Sequence, residues 1–225
     1  MPLFTTIDEI KQYIAIDVNT EMDTVMPFIN EAELLFIKPL IGAELYDVLI
    51  NDYNIDSSAM TADNAAILPY VQRSLAHYMG YLWVPQMGVS VGDMGINMSS
   101  GQDSMPAPRW KVEQLQMSYM QQADIHAEKL LEYLENNASA TRYQEWFDDL
   151  SVNTKMEGYL VNSTRVASEF IDINDSRRIF LRLKKRIKDI EARNVKKLIC
   201  EDQYTELVSQ IQADTLTPEN TALIE

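Results

Sequence analysis

Ile29-Asn-Glu-Ala-Glu-Leu-Leu-Phe-Ile-Lys-Pro-Leu-Ile-Gly-Ala-Glu-Leu-Tyr-Asp-Val-Leu49 decides how this chain is read, because its pattern returns 158 residues later. It aligns without a gap to Ile187-Lys-Asp-Ile-Glu-Ala-Arg-Asn-Val-Lys-Lys-Leu-Ile-Cys-Glu-Asp-Gln-Tyr-Thr-Glu-Leu207, and seven of the 21 positions are identical. The matches are Ile29/Ile187, Glu33/Glu191, Lys38/Lys196, Leu40/Leu198, Ile41/Ile199, Tyr46/Tyr204 and Leu49/Leu207. Composition alone gives roughly one or two over such a window. Each copy reads as a long helix, a break and a short helix, so the pattern predicts an internal duplication.

Upstream of the first copy, Thr6-Ile-Asp-Glu9 has the spacing of a capping box and predicts a short helix to about Ile14. A turn at 17–20 leads into the long helix, with Val25, Ile29, Ala32, Phe36 and Leu40 at helical spacing. Pro39 and Gly42 interrupt it. Thr61 is placed to cap a core helix to about Val84, with Pro69 as a kink or restart. Between 86 and 108 the composition changes to Gly, Ser, Met and Pro, and apolar alternation around Gly92-Asp93 fits either a β-hairpin near 87–99 or a flexible loop. A long helix from Pro108 to about Asn136 follows, then a short one over 142–150 and a loop-like stretch over 151–175. Ser176 opens the second long helix, with Phe180, Leu183, Ile187, Ile190 and Val195 as its apolar face. A short helix over 202–211 and a frayed tail complete the reading.

Seven glycines and eight prolines in 225 residues suit long helices joined by few loops. The opening nine residues lack a basic leader and a long apolar run, so no signal peptide is expected. Apolar stretches end well short of the roughly 20 residues of a membrane span, and a cytoplasmic protein is expected. One cysteine, Cys200, excludes an intrachain disulfide and reads as a small buried hydrophobe.

Net charge is −15, which disfavours general binding to nucleic acid or acidic membranes. From Arg177 to Lys197, however, ten Lys or Arg face two acids, a balance of +8, so the remaining chain carries −23. Arg177, Arg178, Arg182, Lys184, Lys185, Arg186 and Lys188 flank the apolar stripe of that helix. Three roles stay open for them. They pair with acids of their own chain, meet an acidic surface of a neighbouring copy, or contact nucleic acid, the last without the interleaved aromatics such binding uses.

No residue set points to catalysis. His126-Ala-Glu128 matches the first half of a zinc-deaminase signature, but that chemistry needs two nearby cysteines and the chain has one. His77 and His126 form no His-Glu-x-x-His pair and read as helix-surface residues. Asp172-Ile-Asn-Asp175 lacks the glycine and terminal glutamate of a calcium loop, and Asp148-Asp149 reads as a solvated edge. Phosphate-loop, dinucleotide and nucleophile-elbow motifs are absent from the sequence. No enzyme, cofactor or metal is expected.

The run Thr6-Ile-Asp-Glu-Ile-Lys-Gln-Tyr-Ile-Ala-Ile-Asp17, with Asp23, Ile29, Ala32, Ile37 and Gly42, resembles the opening of the small helical head–tail connector (adaptor) proteins of tailed phages. Gly88-Val-Ser-Val-Gly-Asp-Met-Gly95 resembles that family's hairpin. Asn162-Ser-Thr-Arg-Val-Ala-Ser-Glu-Phe170 and Asn174-Asp-Ser-Arg-Arg-Ile-Phe180 resemble an uncharacterised helical family of Bacteroidetes genomes and prophages. The connector resemblance implies a ring between portal and tail, around the channel that DNA traverses. It implies as partners further copies of the chain and neighbouring virion proteins, with the protein made in the host cytoplasm and carried in the virion. The basic helix would then face an acidic neighbour, and a hairpin carrying Val89, Val91, Met94 and Ile96 would dock on a partner. A helical interaction or regulatory module of a bacterial cell or mobile element, with no virion role, is the alternative. The expected fold is all-α, a multi-helix bundle with one small hairpin. Residues 1–150 form a connector-like domain, and residues 151–225 a helical segment that repeats the 29–49 pattern on the same core.

Overall fold

The computed structural model describes residues 2–55, 59–87, 89–92, 95–98, 107–213 and 215–224. It is predominantly helical, and the chain divides into two compact units, Met1–Val152 and Asn153–Glu225. Each unit has a buried cluster of its own.

The first unit opens with α1 (Ile7–Lys11). The Thr6 side chain accepts from the Glu9 amide, and the Glu9 carboxylate accepts from the amides of Thr6 at 3.0 Å and Thr5 at 2.7 Å. This is the reciprocal capping box, which satisfies donors a helix start otherwise leaves open. α2 (Met22–Ala32) buries Val25, Ile29 and Ala32, and then widens into a π-turn over Glu33–Ile37. α3 (Lys38–Ile41) follows, Gly42 breaks the chain at φ 87°, and α4 (Ala43–Ile55) begins. α5 (Ala62–Trp83) runs unbroken through Pro69, capped by Thr61, whose backbone and hydroxyl are held by the Asp52 carboxylate at 3.0 Å. Its buried residues lie all round it, as expected for a core helix.

β1 (Val89–Gly92) and β2 (Gly95–Met98) pair antiparallel, with Val89 opposite Met98 and Val91 opposite Ile96. α6 (Arg109–Asn137) then packs along α5. The approach is close at Gly80, where a Cβ would stand 3.1 Å from the Tyr119 ring. Only the second half of α6 is buried, through Ala123, Ala127, Leu130, Leu131 and Leu134. In the first half Trp110, Leu115 and Met117 are exposed. α7 (Gln144–Asp148) inserts Trp146 into the core.

In the second unit the stretch expected to be loop-like contains α8 (Thr164–Phe170), capped by the Ser163 hydroxyl on the Val166 amide. α9 (Arg177–Ile190) is capped by Ser176 and buries Phe180, Lys184 and Ile187. A second π-turn over Glu191–Val195, α10 (Lys196–Ile199), a break at Cys200 with φ 59°, and α11 (Glu201–Ala213) follow in the same order as in the first unit. The expected frayed tail is instead α12 (Pro218–Ile224). It is tied down by buried Asn220, whose amide donates to Glu206 at 3.1 Å and Gln210 at 2.9 Å and accepts from Gln203 at 2.8 Å.

Candidate functional site

The two π-turns begin on buried glutamates at matching positions. Glu33 accepts from the Leu3 amide at 2.6 Å and from the Tyr46 hydroxyl at 2.8 Å. Glu191 accepts from the amides of Leu160 at 3.0 Å and Val161 at 3.1 Å, and from the Tyr204 hydroxyl at 2.5 Å. Lys38 lies 5.2 Å from the centre of the Tyr46 ring, and Lys196 lies 4.6 Å from that of Tyr204. Each turn therefore clamps the segment that precedes its helices, at Leu3 and Val161, which are also 158 residues apart. Pro39 does not cause the π geometry, because the second turn keeps it with Lys197 in that place. The shared feature is a buried carboxylate whose lone pairs must be met by donors from two directions. Burial pushes the Glu33 carboxyl above its ordinary value against the pull of its two donors, and burial and Glu33 together push Tyr46 up. These carboxylates are engaged by structural partners and hold chain segments together.

The helices leading into the turns carry opposite charge. Between residues 12 and 37 there are five acids and no Lys or Arg, whereas the matching 170–195 holds eight Lys or Arg against four acids. Over whole units the contrast persists. The first holds 22 acids and seven Lys or Arg, and the second holds twelve of each. The first unit thus bears the entire −15.

On α9 the basic residues separate by position. Arg182, Lys185 and Arg186 are exposed, while Arg177, Arg178 and Lys188 are half-buried, Lys188 with its ammonium 5.2 Å from the Tyr159 ring centre. Lys184 departs from the sequence expectation: it is 7% exposed and donates to the Asn153 carbonyl at 2.6 Å, so it is an interior residue and not part of a docking face. The turn that α9 makes places 184 beside Phe180 and Ile187, and a long apolar stem ending in a satisfied ammonium fits there. Ile190, expected on the apolar face, departs in the other direction, at 54% exposed, and Leu198 is also exposed, at 83%. In the first unit the corresponding Ala32 is fully buried and Leu40 packs against the core, under a cluster that α5 completes. The second unit has no such covering helix pair among its described residues, so the face stays open. Val89, Val91 and Ile96 lie on the paired strands, and Met94 lies outside the described residues.

The two histidines, expected apart on helix surfaces, meet. His77 is buried on α5, its ring centre 4.8 Å from that of His126 on α6, with Nδ1 2.7 Å from the Arg73 carbonyl oxygen. Pro69, Tyr70, Arg73, His126 and Lys129 line a cavity of about 260 Å³. Burial, then repulsion from the charged forms of His77, Arg73 and Lys129, brings the His126 pKa down to about 4. Periodicity could not reveal this contact, since it needs the register of α5 against α6. Cys200, expected buried, is exposed. Asp149 accepts from the Ser151 amide and hydroxyl, while Asp148 accepts from Gln144. Among the described residues no group of three or more His, Cys, Asp or Glu is arranged to hold a metal, and no helix is long and apolar enough to cross a membrane.

A family model covers residues 37–156, more than half of the chain, and its description is a family of unknown function. The chain belongs to the DUF6712 family. The DUF6712 match runs from the last residue of the first π-turn to just beyond the first unit, and leaves α8–α12 outside it. No curated protein and no solved structure matches the chain.

Proposed function

We propose that this protein is a non-enzymatic assembly component, a (pro)phage head–tail connector that forms a multimeric ring. The observation that carries the reading is the division of charge and exposure between two similar turns. The first is acidic and has a covered inner face, and the second is basic with that face open. A chain whose net −15 sits in one unit and whose densest run of Lys and Arg lies on one helix of the other, with Arg182, Lys185 and Arg186 exposed, is suited to ordered association with acidic surfaces. The same excess of acid suits a channel wall that must let DNA pass without holding it. The resemblance of the first 42 residues to connector proteins supports the same reading, and the strand pair at 89–98 follows at the place that resemblance implies.

The two turns are also proposed to descend from one duplicated unit. Besides the seven identities, the repeated order of helix, π-turn, short helix, positive-φ break and helix supports this. A duplication that kept the buried glutamate–tyrosine pair and reversed the outer charge yields two related but complementary surfaces.

Light scattering coupled to size exclusion, over a wide concentration range at low and high salt, tests the assembly reading. A closed oligomer weakened by salt is expected, because exposed charge pairs are screened within about 10 Å at 0.1 M. A chain that stays monomeric and also ignores the portal, capsid and tail proteins of its own gene neighbourhood overturns it in favour of a module with no virion role.

A further inference from the structure

The two similar turns present unlike outer surfaces. On α2, exposed Glu31 continues on the same helical face into Leu34 at 66% and Leu35 at 51% exposure, with exposed Glu21 and Asp23 nearer the helix start. None of these three acids makes an ion pair with another described residue. On α9, exposed Arg182 and Arg186 share a face with Ile190 at i, i+4 and i+8 spacing. Arg186 and Ile190 stand where the first unit packs Phe28 and Ala32 into its core. One surface is acidic with an exposed leucine pair, and the other is basic with an exposed isoleucine.

We propose that Arg182, Arg186 and Ile190 of one copy dock on Glu31, Leu34 and Leu35 of a second copy. The inference rests on the assembly reading above and names the contact that would carry it. Two arguments select a second copy as the occupant. The charges are complementary within one sequence, and both surfaces expose large apolar side chains that water solvates poorly. The arrangement proposed is heterologous, each pair of copies sharing one such contact rather than two reciprocal ones across a two-fold axis. Each copy keeps a vacant acceptor and a vacant donor after the first contact, and growth continues until the rotation closes a ring or runs on as a filament. An isologous dimer would stop at two.

Two triple variants test this, each confined to exposed residues: Glu31→Gln with Leu34→Gln and Leu35→Gln, and Arg182→Gln with Arg186→Gln and Ile190→Gln. Thermal melts confirm that each folds as the wild type does. Light scattering of the wild-type full chain should show oligomers larger than a dimer, and each variant alone should be monomeric. Mixed one to one, the variants should form a heterodimer and nothing larger, because each supplies one intact surface. Retention of wild-type oligomer size by either variant overturns this contact and leaves the assembly reading standing. A homodimer of the wild type also overturns it, in favour of an isologous surface. A wild type that is monomeric throughout overturns the self-contact, and the assembly reading then falls only if the chain ignores its gene-cluster neighbours as well.

Discussion

The Tyr46 hydroxyl donates to a carboxylate oxygen of Glu33, thirteen residues earlier, and Tyr204 does the same to Glu191 across the same separation. Tyr46→Phe removes one of two donors to a buried carboxylate. It should cost about 1–3 kcal/mol, read as a lower urea midpoint with an unchanged slope. Glu33→Ala should cost more, since the Leu3 amide and the Tyr46 hydroxyl both lose their acceptor.

Acid should partly offset the strain at Glu33. Its folded-state pKa is raised, so the folded chain binds the proton more readily than the unfolded chain. Its contribution to stability therefore grows as pH falls through the folded value towards the ordinary one, and is lost as pH rises. Glu33→Gln should flatten this part of the stability–pH curve, measured by denaturant midpoints at a series of pH values.

His126 should act with the opposite sign. Its pKa lies at about 4 in the folded chain, below the ordinary 6.5. The unfolded state thus binds more protons between those values, and stability should fall as pH drops through that window. Imidazole proton shifts followed by NMR should place the titration near pH 4, and His126→Gln should remove that loss. A midpoint near 6.5 would show that the contact with His77, Arg73 and Lys129 is not held in solution.

Gly42 and Cys200 occupy matching breaks with φ of 87° and 59° and ψ of 150° and 162°. That region suits glycine, and other residues held there cost on the order of 1–3 kcal/mol. Cys200→Gly should raise the melting temperature. Gly42→Ala should lower it, helped by a Cβ placed 3.0 Å from an Asp149 carboxylate oxygen.

Lys184 and Arg186 differ by two positions and should differ sharply in effect. Lys184→Met keeps the apolar stem but leaves the Asn153 carbonyl without its ammonium, and should cost about 1–3 kcal/mol. Arg186→Gln, on the exposed face, should change stability by less than about 0.5 kcal/mol while abolishing any contact that α9 makes with an acidic partner.

Much of the helical order was legible because its causes are local. Thr6, Thr61 and Ser176 announce helix starts through hydroxyls that reach their own third amide, and Gly42 marks a break that its backbone freedom favours. The helices α8 and α12 escaped notice for want of a strong apolar period. Ser163 supplied a cap signal in a stretch read as a loop, and Asn220 is held by side chains of α11 that no pattern within the tail reveals.

By itself the sequence determined the helical class, the repeated pattern with its Glu33/Glu191 and Tyr46/Tyr204 pairs, and the concentration of ten of the nineteen Lys and Arg in 177–197. Spacing, capping and charge are properties of neighbours along the chain. Tertiary structure alone decided that Lys184 is interior and Ile190 exposed, that Cys200 is exposed, and that His77 meets His126. Burial depends on what covers a face. The first turn lies under α5 and the second has no described counterpart to that helix, so patterns that share seven of 21 residues came to present opposite surfaces to their surroundings.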